Sequence, residues 1–168
     1  MSARKEKEPV RPAEGIGEPL PPSRRLGRIL DFMRIVWAVD HGLQSASKRM
    51  GAALGLTGPQ RLVIRMAGKF PGISAGELAE ILHVHKSSLT GVLQRLESRE
   101  LLRRTIDPED RRRATFNLTA KGRELDGLRA GTVEQAIRRA LARVSDAEVD
   151  AARVVLVAIA EELLREDV

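Results

Sequence analysis

Apolar residues recur along this chain at helical spacing, and the places where that spacing lapses mark its elements. Leu26, Ile29, Met33, Val36, Asp40, Leu43, Ser47, Met50 and Leu54 keep an unbroken 3-4 rhythm. The rhythm predicts a long helix over 23–54 suited to packing on other long helices, with Asp40 and Ser47 as polar breaks in its seam. Gly55 closes it. Thr57 and Pro59 then open a second helix whose inner side is Leu62, Val63, Met66 and Ala67.

Ser74 and Glu77 stand at the S-x-x-E spacing of a capping box, which starts a third helix running to about residue 82. A short turn, His83-Val84-His85, separates it from a fourth helix over 86–100. Two helices joined this way form a helix-turn-helix. Over 101–106 and 114–118 the period changes to two, with Phe116 and Leu118 alternating against Thr115 and Asn117, so a hairpin follows as a wing. Thr119 caps a fifth helix read as continuous to about residue 144. Ser145 and Glu148 repeat the capping-box spacing and open a sixth. The expected fold class is mainly α: a winged helix with six helices, a two-stranded β-wing and an intertwined helical dimerisation region. The expected organisation is a flexible tail over 1–23, a dimerisation helix over 24–55, the winged domain over 56–119 and C-terminal dimerisation helices over 120–168.

Composition sharpens this picture in two ways. Lys and Arg outnumber Asp and Glu by 29 to 23, a basic excess that favours a polyanionic partner. The chain has no cysteine, which excludes disulfides, thiolate metal sites and cysteine nucleophiles. No apolar run suits a membrane span or a signal peptide, so the expected compartment is the cytoplasm, without membrane partners. His83 and His85 straddle a turn with no third imidazole nearby, a poor arrangement for a metal. No cofactor is expected, and no phosphate loop or nucleophile motif of an enzyme is found.

The fourth helix carries the most specific chemistry. Leu89, Val92, Leu93 and Leu96 fall on one side, with Lys86, Ser87, Ser88, Thr90, Gly91, Gln94 and Arg95 on the other. That second side offers hydroxyls, an amide and two cations, with no carboxylate before Glu97. A helix entering a major groove needs this mixture: short polar groups for base edges and cations for phosphates. His85, at the start of the helix, is read as a cap or a phosphate donor. An ordinary solvated face is the competing reading, but such faces usually mix both charge signs. In the wing, Arg103, Arg104, Arg111, Arg112 and Arg113 suit a narrow electronegative groove, with Asp110 bracing Arg112.

With these residues assembled, the chain resembles the MarR family of bacterial transcription regulators over 26–164. The wing segment Asp110-Arg111-Arg112-Arg113-Ala114-Thr115-Phe116-Asn117-Leu118-Thr119 matches the family's D-x-R-x5-L-T motif, and the segments around Gly76 and Ser87 look like its helix-turn-helix. Gly91 stands where relatives often carry Arg, and His85 where they carry Ser or Thr. The resemblance implies a homodimer on a pseudopalindromic operator in double-stranded DNA and a regulator, read here as a repressor. It also implies a small aromatic or phenolic effector. Trp37, Asp40, His41 and Gln44 of the first helix, with Arg65 and Met66 of the second, are the candidate effector-pocket residues. Trp37 in a core and His41 in an interface is the simpler alternative for that group. For the protein as a whole, the alternative is a winged-helix assembly module or a nonspecific architectural DNA-binding protein.

Overall fold

The computed structural model describes residues 26–106 and 114–165. The expected tail over 1–23 and the wing residues Asp110, Arg111, Arg112 and Arg113 lie outside them. The elements in order are α1 (Gly27–Leu54), α2 (Gly58–Lys69), β1 (Ile73–Ser74), α3 (Ala75–Leu82), α4 (Lys86–Ser98), β2 (Leu102–Ile106), β3 (Ala114–Leu118), α5 (Ala120–Gly127), α6 (Val133–Leu141) and α7 (Asp146–Leu163). The chain divides into two compact units, one ending at Ser45 and one starting at Ala46.

From Gly27 the described part of the first unit is helical, and it leaves large apolar side chains in solvent. Ile29 is 75% and Trp37 74% exposed among the described residues. Along the same helix Gln44 Nε2 donates to Asp40 Oδ2 at 2.8 Å, and Arg34 pairs with Asp31 at 2.9 Å.

The second unit holds the core. Leu56, Val63, Ile64, Leu78, Leu89, Leu93, Leu96, Leu101 and Phe116 are nearly or fully inaccessible and form one cluster. Side chains three and four apart on α2, α3 and α4 converge there, as amphipathic helices require. The buried side of α2 differs from the expected one: Leu62 is largely exposed, while Gln60 and Arg61 are buried beside Val63, Ile64 and Ala67. Ser47, the polar break in the α1 stripe, accepts from the Gly58 backbone N–H at 2.7 Å and so satisfies a donor that opens α2.

The expected two-stranded wing is an antiparallel sheet of three, ordered β1-β3-β2. The added strand is only two residues long, with Ile73 opposite Phe116 and Ser74 opposite Thr115. It forms because buried Ile73 and Phe116 share a face, a contact that hydropathy along one segment does not reveal.

Seven helices are described where six were expected, because the fifth is broken. Gly131 adopts φ +74°, and Thr132 then caps α6 by accepting from Gln135 N–H. The loosened end of α5 is held by buried Arg61. Its guanidinium donates to the carbonyls of Leu125, Asp126 and Leu128 and to Glu134 Oε1 at 2.8 Å. Beyond this junction α6 and α7 contain no buried residue. Among the described residues no helix is long and apolar enough to cross a membrane.

Candidate nucleic-acid interface

Helix α4 is set in place from both ends. Ser74 Oγ accepts from Glu77 N–H and Glu77 Oε2 from Ser74 N–H, the reciprocal capping box that starts α3. His83 ends α3 in the left-handed region at φ 50°, which turns the chain sharply into α4. His85 occupies the N-cap position, but its side chain makes no capping hydrogen bond, so the expected capping role is not met. At the far end Glu100 is left-handed at φ 59°. Thr119 Oγ1 donates to the Glu100 carbonyl at 2.6 Å and Lys121 Nζ to the Arg99 carbonyl at 3.1 Å. Arg99 donates in turn to the carbonyl of Gly55, just beyond α1, at 2.5 Å.

Burial of Leu89, Leu93 and Leu96 fixes the rotation of α4 about its axis. It leaves His85, Lys86, Ser87, Ser88, Thr90, Gln94 and Arg95 exposed and Gly91 half-buried. The sequence-derived reading residues of α4 therefore do share a solvent-facing surface. Thr90 is not idle there: its Oγ1 donates to the Lys86 carbonyl at 2.8 Å. A Cβ added at Gly91 would meet nothing within 4 Å, so the fold itself does not demand glycine there.

On the wing, Arg103 and Arg104 are both exposed in β2, opposite Asn117 and Phe116 of β3. Successive strand residues face opposite sides of a sheet, so the two guanidiniums leave β2 in opposite directions. Arg104 shares its face with Leu102 and Phe116, the core-facing side; Arg103 shares the other with Asn117.

The candidate effector residues fall in different units. Trp37, Asp40, His41 and Gln44 are exposed along α1. Arg65, in the second unit, is engaged by two carboxylates, Asp126 Oδ1 at 2.5 Å and Glu134 Oε1 at 3.7 Å, and Met66 packs against the core. Among the described residues no group of three or more acidic or histidine side chains is placed to hold a metal ion.

Arg61, Glu134 and Arg99 escaped the sequence reading. A signal for Arg61 existed: it lies three residues before Ile64, on the inward phase of α2. Burial acts to raise the pKa of Glu134. Its own backbone N–H, the Arg61 hydrogen bond and the charges of Arg61 and Arg65 outweigh that and hold it below the ordinary value of 4.5.

A helix-turn-helix with its second helix exposed along a polar, acid-free face, followed at once by an antiparallel hairpin, defines a winged helix-turn-helix protein. The sequence model of the MarR family matches residues 56–114, from just before α2 to the first residue of β3. The HTH-type transcriptional regulator TtmR of Methylorubrum extorquens (strain PA1) is 36% identical over 92 residues, 55% of this chain and 47% of that protein. The chain thus spans about half the length of that relative. CouR from Rhodococcus jostii RHA1, solved bound to p-coumaroyl-CoA, superposes with a TM-score of 0.66 at 26% identity, covering 82% of this chain and 95% of CouR. The S. aureus MepR–DNA complex shares the fold at a TM-score of 0.67 and 17% identity, covering 79% and 97% of the two chains. The winged domain of this chain, over residues 56–114, is thus similar to the MarR family.

Proposed function

We propose that this protein is a DNA-binding transcription regulator that reads a pseudopalindromic operator as a homodimer. The observation that carries the proposal is the exposed face of α4, where hydroxyls, an amide and two cations stand without a carboxylate from Lys86 to Leu96. Base edges in a major groove require such donors and acceptors, while phosphates require the cations. His85, Lys86 and Arg95 take phosphate contacts; Ser87, Ser88, Thr90 and Gln94 face base edges, and Gly91 gives them room. Arg103 and Arg104 of β2 supply wing contacts to the duplex.

The exposed apolar residues of α1, α6 and α7 support the dimer. Trp37, Ile137, Leu141, Leu156 and Leu163 are all at least 44% exposed within one chain. Apolar surface on this scale is normally covered by a partner. Occupation of an operator blocks access to the promoter, so the sign of regulation is read as repression. A small aromatic or phenolic effector completes the proposal, supported by the likeness to CouR. An architectural DNA-binding role is the second reading, and the same acid-free helix would serve it.

Gel-shift titrations with the DNA upstream of the chain's own coding sequence separate these readings. The regulator predicts one retarded complex that outlasts excess competitor DNA and dissolves with a suitable phenolic acid. Equal retardation of every duplex supports the architectural reading instead. A thermal-shift screen in which no aromatic acid raises the melting temperature removes the effector from the proposal.

A further inference from the structure

Thr90 is the one reading-face residue whose hydroxyl proton can be placed. Its Oγ1 lies 2.8 Å from the Lys86 carbonyl, which has no proton to give, so Thr90 is the donor. This back-bond to the carbonyl four residues earlier is a habit of threonine within helices. It leaves the outward side of the hydroxyl with lone pairs only. The residue is exposed, while its neighbour Leu89 and nearby Leu93 are buried, so the lone pairs face away from the core. Gly91 beside it carries no side chain, and the space its Cβ would fill is open, which lets a base edge approach.

We infer that Thr90 reads its base as a hydrogen-bond acceptor, selecting a base with an exocyclic amine at one position of each half-site. The inference rests on the DNA-reading role proposed for α4. In the major groove adenine offers N6–H and cytosine N4–H, whereas guanine presents only the acceptors N7 and O6. An acceptor facing guanine meets repulsion, and relieving it by turning the hydroxyl outward gives up the bond to Lys86. Thymine offers O4, again an acceptor, and a methyl group. The selected base is therefore adenine or cytosine.

The test is enrichment of binding sites from a random duplex pool by the full-length protein, followed by affinities for every single-base change. Wild type, Thr90→Val, Thr90→Ser and Thr90→Ala are compared. Valine keeps the shape and methyl of threonine but has no acceptor; serine keeps the acceptor and loses the methyl. The expected result is one position per half-site at which wild type and Thr90→Ser prefer adenine or cytosine over guanine by about tenfold or more. Thr90→Val and Thr90→Ala lose that preference while the other positions keep theirs. A preference unchanged in Thr90→Val overturns the inference. So does a thymine preference kept by valine and lost by serine, or selection of guanine at the Thr90-dependent position. If wild type enriches no sequence at all, the DNA-reading role falls first, and the two failures are told apart. Circular dichroism and affinity for unrelated duplex confirm that each variant is folded, and Thr90→Ala carries the test should Thr90→Val fail to fold.

Discussion

Arg61 shows how much one side chain decides. It is 2% exposed, yet it serves three carbonyls at the end of α5 and the carboxylate that follows the cap of α6. Removing it strands those acceptors, so Arg61→Met is expected to cost about 2–4 kcal/mol in chemical denaturation. The linkage also has a pH signature. A carboxylate held below its unfolded value stabilises the fold at neutral pH. That contribution is lost as pH falls from the ordinary value of 4.5 through the lowered one. Glu134→Gln should flatten this acid limb of the stability curve and lower stability at pH 7; an unchanged limb would contradict the role given to Glu134. Gly91 makes a different prediction. Glycine inside a helix is about 1 kcal/mol less favourable than alanine, and nothing in the chain crowds the site. Gly91→Ala should therefore raise the melting temperature and weaken operator binding together. Gly122 shows the opposite case: a Cβ there would sit 2.1 Å from the Leu101 carbonyl oxygen, so its alanine variant should be severely destabilised.

At the scale of elements, local chemistry was easiest to read. The capping boxes of Ser74 with Glu77 and Ser145 with Glu148, and the Thr119 cap, depend on residues three apart, and each is present in the fold. The position of α4 followed from its leucine rhythm. Features that depend on distant partners were not legible. The break between α5 and α6 is held by Arg61, more than sixty residues earlier. Strand β1 exists only because Phe116 lies alongside Ile73. Of the two roles read for His85, the cap is not formed, since its side chain makes no capping hydrogen bond to α4. The wing carries its own prediction. Because Arg103 and Arg104 leave opposite faces of β2, Arg103→Ala and Arg104→Ala should weaken operator binding unequally, by about tenfold between them in fluorescence anisotropy. Equal losses would mean that the hairpin does not present one face to the duplex.

Over the whole molecule, the core belongs to the winged domain, while among the described residues none on α6 or α7 is fully buried within one chain. Such helices are stable in water when another surface covers them. In the proposed homodimer that surface is a second copy, which sets the two α4 helices about 34 Å apart, one helical turn of DNA. Leu156→Lys, on α7, should shift sedimentation from dimer to monomer and lower operator affinity with it. Whether α4 reads sequence is settled by a salt titration of wild-type protein. It would measure affinity for the enriched site and for a shuffled duplex of equal composition. The expected result is a preference for the enriched site of about a thousandfold or more, with both affinities falling steeply as salt rises. Equal affinity for the two duplexes at every salt concentration would contradict it.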